Sequence, residues 1–202
     1  MSSEKISKEN VKIIAIIPAK GQSERLANKN KLVVNGKPML YWAIKACKES
    51  KYDMDVWVSS EDNEILEMAK KFGAYPYKRA PSLSNAYVFK QEIIRDVINK
   101  LSRDWTYEER PDLVISLQPN SPQIRGAHLD RGIETLIEND KNEIFSVNSN
   151  LMQNGAFRVM KIGYVNQYDL STYCGVVICD LIDIHDKEDL ERVETTSKFP
   201  MV

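Results

Sequence analysis

The sequence lacks the features of secreted, membrane-spanning and nucleic-acid-binding proteins. No apolar run is long enough to cross a bilayer, and the first ten residues are polar and charged, without the apolar core of a signal peptide. The formal net charge is -1 and no long basic run occurs, whereas binding to a phosphate backbone needs a concentrated cationic face. These absences predict a protein that binds neither a membrane nor a nucleic acid.

Cysteine is also scarce. The three cysteines, Cys47, Cys174 and Cys179, are an odd number, and each lies in an apolar pattern. We therefore expect reduced, buried thiols in a cytoplasmic protein. Cys174 and Cys179 flank a short apolar stretch, but the second Cys/His pair of a zinc site is missing, so core packing is the favoured interpretation.

The composition is that of an ordinary globular protein: 202 residues, 43% hydrophobic and 28% charged, enough for one substantial core. Apolar, β-branched runs alternate along the chain with amphipathic stretches, as in repeated βαβ units. Strands are predicted at residues 13–17, 55–60, 113–118, 144–147, 156–160 and 175–178. Helices are predicted at the apolar positions of residues 40–47, 65–72, 94–101, 129–137 and 190–193, with an irregular segment at 75–84. The pattern predicts one domain over residues 1–202, with a three-layer α/β fold and a mostly parallel, Rossmann-like central sheet.

The first predicted strand leads into a basic loop. Pro18 cannot continue the ladder, and the small or polar residues Gly21, Gln22 and Ser23 allow a sharp turn at the carboxyl end of the sheet, where ligands of such folds bind. Cations follow one another through this loop: Lys20, Arg25, Lys29 and Lys31. The spacing is neither that of a Walker A loop nor the dinucleotide G-x-G-x-x-G. Backbone amides with several cations suit a polyphosphate; the alternative is a solvated loop.

The spacing within this loop resembles the opening motif of the acylneuraminate cytidylyltransferase family, the CMP-sialic acid synthetases, roughly I-P-A-R-x-x-S-x-R-x-x-x-K-N. The matching residues are Ile17, Pro18, Ala19, Lys20, Ser23, Arg25, Lys29 and Asn30, with Lys20 where the family usually has arginine. Further stretches resemble family segments in the same order: residues 58–74, 116–125, 154–157 and 182–194. An ordered set of matches over most of the chain is more specific than any one of them.

The resemblance implies a fold like that of the nucleotide-diphospho-sugar transferases and a reaction between CTP and a sugar acid. A sugar hydroxyl would attack the α-phosphorus, pyrophosphate would leave, and Mg²⁺ would neutralise the phosphate oxygens. The implied nucleotide-binding residues are Ala19, Lys20, Gly21, Ser23, Arg25, Lys29, Asn30 and Arg79. The implied acceptor-binding residues are Gln118, Asn154 and Phe157, and the implied catalytic residues are Lys29, Arg25 and Asp183. Positioning and charge neutralisation are the main sources of catalysis in such transfers.

The implied metal site departs from the family pattern. The family's D-I-D supplies two carboxylates for Mg²⁺, whereas this sequence has Asp183 and His185 at those positions. Because imidazole is a poor ligand for Mg²⁺, Asp183 is predicted to be the principal protein ligand. The alternative is that Asp183 and Asp186 cap the final helix.

The family's long excursion, which supplies acceptor-binding cations and dimer strands, is shortened here to residues 150–153. A monomer or weak homodimer is therefore expected, and the acceptor stays open. One alternative is a catalytically weak or inactive nucleotide-binding homologue that acts as a partner subunit. Another is a nucleotidyltransferase for a different sugar or sugar phosphate.

Overall fold

A computed structural model describes residues 6–23, 25–85 and 87–196, so the ends of the predicted domain, 1–202, lie outside the described residues. The described strands are β1 (Ile13–Pro18), β2 (Val33–Val34), β3 (Lys37–Pro38), β4 (Met54–Ser60), β5 (Tyr75–Lys78), β6 (Leu113–Leu117), β7 (Glu143–Val147), β8 (Gln153–Lys161) and β9 (Cys174–Ile178). The described helices are α1 (Met39–Glu49), α2 (Asn63–Lys71), α3 (Lys90–Leu101), α4 (Gly126–Glu138) and α5 (Lys187–Thr195).

Seven of these strands form one sheet in the order β5-β4-β1-β6-β8-β7-β9, and β2 and β3 form a small hairpin apart from it. β8 runs antiparallel to both of its neighbours, while the other adjacent strands of the sheet are parallel. This arrangement confirms the predicted, mostly parallel α/β sheet. The carboxyl ends of β1, β4 and β6 consequently meet at one edge, which is where the basic loop begins.

The sheet is covered on both faces, which explains the continuous apolar run of β1. Ala15 and Ile17 face a core formed with α1, α2 and α4, whereas Ile14 and Ile16 face a second core formed with α3. A third, smaller cluster lies under the basic loop and α5: Leu26, Val34, Met39, Ile184 and Val193. Helix α5 is therefore packed close to the loop that follows β1, although the two are far apart in sequence.

Two expectations about these elements were wrong. The segment predicted to be irregular contains β5, which pairs in parallel with β4 at the edge of the sheet. Pro76 is tolerated there because an edge strand leaves one row of N–H groups unpaired. Cys174 was expected to be buried, but it is exposed on the other edge strand, β9.

The other thiols behave as the sequence predicts. All three cysteines are free, and Cys47 and Cys179 are buried. Burial raises the pKa of the Cys47 thiol to about 12 and that of Cys179 to about 11. Within the described ranges, none of the helices has the length and apolar character needed to span a bilayer.

Residues 150–153, to which the family resemblance assigns the shortened excursion, lie in a tight turn between the antiparallel strands β7 and β8 and at the start of β8. The Asn148 amide donates to the Met152 carbonyl over 2.9 Å, and the Leu151 amide donates to the Asn148 carbonyl over 2.9 Å. Leu151 has a φ of 62°, an unfavourable value for a residue with a side chain of this kind. Leu151 and Met152 are both exposed.

Candidate active site

The loop after β1 is fixed by hydrogen bonds at its base. The Ala19 amide donates to the Ser59 carbonyl over 2.9 Å, and the Gly21 amide donates to Glu61 Oε1 over 2.7 Å. Asn30, which is buried, donates through Nδ2 to the Lys20 carbonyl over 2.8 Å and so closes the loop on itself. A Cβ atom added to Gly21 would lie 2.7 Å from the Cβ of Asp62, the residue that caps α2, so the close approach of the loop to the start of α2 requires glycine here.

Arg79 supports this loop from beneath. Its side chain is only 1% exposed, and its Nη2 lies 2.7 Å from Glu61 Oε2. Ser84 Oγ also donates to Glu61 Oε2, over 2.8 Å. Burial opposes ionisation of Glu61, but hydrogen bonds from Gly21 and Ser84 and the charge of Arg79 outweigh it and lower the pKa of this carboxyl. The resemblance assigns Arg79 to the nucleotide, whereas in the structure its guanidinium is occupied by internal partners.

Most of the predicted nucleotide-binding side chains line one cleft of about 250 Å³ above the loop. Its lining residues are Lys20, Gln22, Ser23, Arg25, Lys29, Asn30 and His185. Lys29 is partly buried and donates to the Ile184 carbonyl over 2.8 Å, which connects the loop to the segment before α5. Burial lowers the pKa of Lys29, and the nearby charge of Arg25 lowers it further, while Asp183 and Asp189 oppose the shift.

Lys31 lies apart from this cleft. Its Nζ is 2.7 Å from Asp62 Oδ2 and 2.6 Å from Glu64 Oε2, so two carboxylates already neutralise it. Of the cations in the basic loop, Lys20, Arg25 and Lys29 line the cleft, and Lys31 does not.

Asp183 lies beside the same cleft, between two polar partners. Its Oδ1 accepts a hydrogen bond from Asn120 Nδ2, and its Oδ2 is 3.0 Å from His185 Nε2. Burial raises the pKa of Asp183, and the charges of His185, Lys29 and Lys90 oppose this shift. Asp186 instead caps α5, because its Oδ1 accepts from the Asp189 amide over 3.0 Å. The capping interpretation thus holds for Asp186, whereas Asp183 lies beside the cleft and bonds to Asn120 and His185.

The three predicted acceptor-binding residues lie in different environments. Gln118 is partly buried and donates through Nε2 to the Gly155 carbonyl beside the cleft. Asn154 joins strands within the sheet, where its Oδ1 accepts from Ser146 Oγ over 2.6 Å. Phe157 is 2% exposed and packs in the core against α4, so its ring contacts neighbouring side chains and has no surface for a ligand.

One cation of the site was missed in the sequence. Lys90, the first residue of α3, extends toward Gly155: a Cβ atom added to that glycine would lie 3.4 Å from Lys90 Nζ. Desolvation lowers the pKa of Lys90, while the charge of Asp183 opposes the shift. The sequence did contain a signal, since a lysine that opens a helix is unfavourable for the helix dipole and calls for a reason.

A sequence model of the family described as cytidylyltransferase matches residues 14–169, which include the basic loop, β4, β5 and the strands up to β8. The chain belongs to the cytidylyltransferase family. Among curated cytidylyltransferases, the N-acylneuraminate enzyme A of Danio rerio is 30% identical over 135 residues, which are 67% of this chain and 30% of that protein. The pseudaminic acid cytidylyltransferase of Campylobacter jejuni is 32% identical over 138 residues, 67% of this chain and 58% of that protein.

Solved structures show the same fold at low identity. A CMP:2-keto-3-deoxy-manno-octonic acid synthetase complexed with CTP gives a TM-score of 0.72 at 16% identity, covering 91% of this chain and 97% of that one. A cytidylyltransferase of Leptospira borgpetersenii gives a TM-score of 0.70 at 16% identity, covering 94% of this chain and 90% of that one. The chain thus has the cytidylyltransferase fold, but it spans only 30% to 58% of the length of the two curated relatives. Asp183 and His185 lie beyond the matched residues, which end at 169.

Proposed function

We propose that this chain is a CTP-dependent cytidylyltransferase, which transfers CMP from CTP to a hydroxyl group of a sugar acid and releases pyrophosphate. The observation that carries the proposal is the cleft over the first loop, where Lys20, Arg25 and Lys29 lie beside a backbone turn that Glu61 fixes through the Gly21 amide. Several cations around one cleft suit the negative charges of a triphosphate. A sugar acid is supported by the names of the relatives, which act on N-acylneuraminic and pseudaminic acids.

In this mechanism the side chains act by position and charge. Lys20, Ser23 and Arg25 would bind the triphosphate, and Lys29 would stabilise the negative charge that develops as pyrophosphate leaves. Partial burial strengthens the field of Lys29, because water screens its charge less. Gln118, at the other side of the cleft, would orient the acceptor.

Mg²⁺ is the implied cofactor, and the residues fit an ion whose remaining ligands are phosphate oxygens and water. Asp183, whose charge acts on both Lys29 and Lys90, would be its principal protein ligand. The described residues hold no group of three or more His, Cys, Asp or Glu side chains arranged for a metal. Mg²⁺ accepts such a set because it retains several waters and is often held by substrate phosphates. When bound, it would neutralise part of the phosphate charge.

A second candidate is a nucleotide-binding homologue without catalysis. It is favoured by one observation: both oxygens of Asp183 are already engaged, by Asn120 and by His185. A ligand to the metal would have to exchange one of these contacts.

Pyrophosphate release distinguishes the two candidates. Each of the four common nucleoside triphosphates would be incubated with a panel of sugar acids and sugar phosphates, with Mg²⁺ and Mn²⁺ compared. We expect release with CTP and a sugar acid, its loss in Asp183→Asn without loss of fold, and a lower metal requirement in His185→Asp. If wild type and His185→Asp bind CTP but are inert with every acceptor, the non-catalytic candidate is the better one.

We also propose small-molecule partners, a cytoplasmic location and a monomer or weak homodimer. The last of these follows from the turn at residues 148–152, which leaves only a tight hairpin where the family resemblance implies dimer strands. Light scattering that showed a tight dimer with this turn buried would contradict it.

A further inference from the structure

Gly155 lies against two polar side chains that come from distant parts of the chain, Gln118 and Lys90. A Cβ atom placed on this glycine would lie 2.4 Å from Gln118 Nε2 and 3.4 Å from Lys90 Nζ. The glycine has a φ of 67°, a conformation that side chains disfavour. The missing side chain therefore lets the Gln118 amide and the Lys90 ammonium approach the same stretch of backbone. Gln118 directly follows β6, and Lys90 is the first residue of α3.

Lys90 is an exposed residue, so its ammonium group is open to a ligand. Among the described residues it has no hydrogen-bond or ion-pair partner, and its electrostatic neighbours are Asp183 and Arg158. Arg158, by contrast, is 2.9 Å from Glu143 Oε2 and 3.0 Å from Gln91 Oε1, so it is committed to internal partners. A cation at the amino end of a helix opposes the helix dipole, so Lys90 does not stabilise α3.

We propose that Lys90 binds the carboxylate of the acceptor and, with Gln118, determines the preference for sugar acids over neutral sugars. The inference rests on the proposed function. Lys90 would supply a cation for the acceptor. The family's long excursion, which supplies such cations, is reduced here to a short turn.

The charge balance beside Gly155 favours a carboxylate over a phosphate. Lys90 contributes one ammonium group, and the negative charge of Asp183 is near enough to oppose part of the desolvation that lowers the pKa of that group. A singly charged carboxylate is neutralised by one lysine, whereas a phosphate with about two charges would retain an excess that Asp183 repels.

The test is Lys90→Met, with Lys90→Arg as the conservative variant and Lys100→Met as the matched control. Lys100 is exposed in the last turn of α3, so Lys100→Met makes the same change on the same helix, away from the cleft. The first readout is steady-state pyrophosphate release with CTP saturating and N-acetylneuraminate varied. The second is direct binding of N-acetylneuraminate and of its methyl ester, by saturation-transfer NMR, in the presence of a non-hydrolysable CTP analogue.

We expect Lys90→Met to raise the KM for N-acetylneuraminate about tenfold or more, as for loss of a charge-assisted hydrogen bond, while the Kd for CTP changes less than about twofold. Wild type should bind the acid better than its ester, Lys90→Met should lose this difference, and Lys90→Arg should recover part of it. Lys100→Met should match wild type in each measurement.

The experiment gives different results when the inference fails and when the proposed function fails. If wild type releases no pyrophosphate but binds the acid in preference to the ester, and Lys90→Met does not, the function fails and the inference stands. A folded Lys90→Met with unchanged KM and unchanged preference overturns the inference, as does a larger loss of affinity for CTP than for the acid. A wild type that does not bind the acid, or that uses sugar phosphates instead, also overturns it.

Discussion

A buried ion pair lies on each side of the cleft, but one pair supports the nucleotide loop and the other joins two strands of the sheet. On the nucleotide side, Arg79 holds Glu61, and Glu61 in turn accepts a hydrogen bond from the Gly21 amide of the loop. On the acceptor side, Arg158 and Glu143 join β8 to β7 within the sheet. The first pair orders a backbone that faces the cleft, and the second orders strands. We infer that the nucleotide side is preorganised before any ligand binds, whereas acceptor recognition depends on a few individual side chains.

Removing one arginine at a time tests this contrast and should give the largest effects. Arg79→Met leaves the partly buried Glu61 carboxylate without its cation, and Arg158→Met does the same to Glu143, whose side chain is 1% exposed. Loss of one partner of a buried pair costs about 3–5 kcal/mol of unfolding free energy, and we expect values near the lower end for both. Urea unfolding measures this cost.

The two variants should differ in ligand binding. At a temperature where both are folded, Arg79→Met should weaken CTP binding, because the loop loses its support, and Arg158→Met should not. Equal CTP affinities in the two variants would show that the ion pair under the loop has no part in preorganisation.

A second pair of variants compares a loop cation that lines the cleft with one that is already paired with carboxylates. Lys29 lines the cleft, so Lys29→Ala should weaken CTP binding tenfold or more. This estimate corresponds to the loss of one charge-assisted contact, which contributes about 1.5–3 kcal/mol. Its stability should fall by only about 1 kcal/mol, for the lost hydrogen bond to the Ile184 carbonyl. Isothermal titration and urea unfolding measure the two effects.

Lys31→Ala is the control for this experiment. Lys31 is two residues further along the chain, but Asp62 and Glu64 already neutralise it. We expect CTP affinity within about twofold of wild type. An equal loss in both variants would mean that the loop attracts the nucleotide by its total charge and not by the cleft seen here.

The sequence was most informative where contacts are local. Lys20, Ser23, Arg25, Lys29 and Asn30 lie on one loop, so a motif read along the chain finds them together, and the structure places all five around one cleft. The strands and helices of the two main cores were likewise predicted, because their apolar periodicity is a local property.

The sequence was least informative where a residue's environment depends on distant parts of the chain. Arg79 and Glu61 are 18 residues apart, and Asp183 and Asn120 are 63 residues apart, so neither contact is visible as a spacing. The exposure of Cys174 depends on β9 being the last strand of the sheet. Phe157 follows a motif associated with the acceptor, but its ring faces the helix layer, which only the register of β8 decides.

The pH dependence of stability gives a third, smaller effect on the nucleotide side. The pKa of Glu61 is lowered in the folded chain, so the group stabilises the fold above its usual pKa of about 4.3, and this contribution is lost as pH falls through the lowered value. In Glu61→Gln the contribution is absent at every pH. We expect wild type to exceed this variant by roughly 1–2 kcal/mol near pH 7 and by less below about pH 4. Urea unfolding at both pH values measures this; a constant difference would contradict the assigned ionisation.

The smallest expected effect concerns the turn on the acceptor side. Leu151 has a φ of 62° and a side chain that is 65% exposed, so it is strained and contributes little burial. Asparagine tolerates this conformation, and Leu151→Asn should raise the unfolding free energy by about 0.5 kcal/mol, or the Tm by about 1–2 °C. Met152→Asn is the matched control, since Met152 is 66% exposed without a positive φ, and its Tm should not change. If Leu151→Asn instead lowers both the Tm and the mass seen by light scattering, the turn is part of a contact between two chains, and the acceptor side is more ordered than the isolated chain suggests.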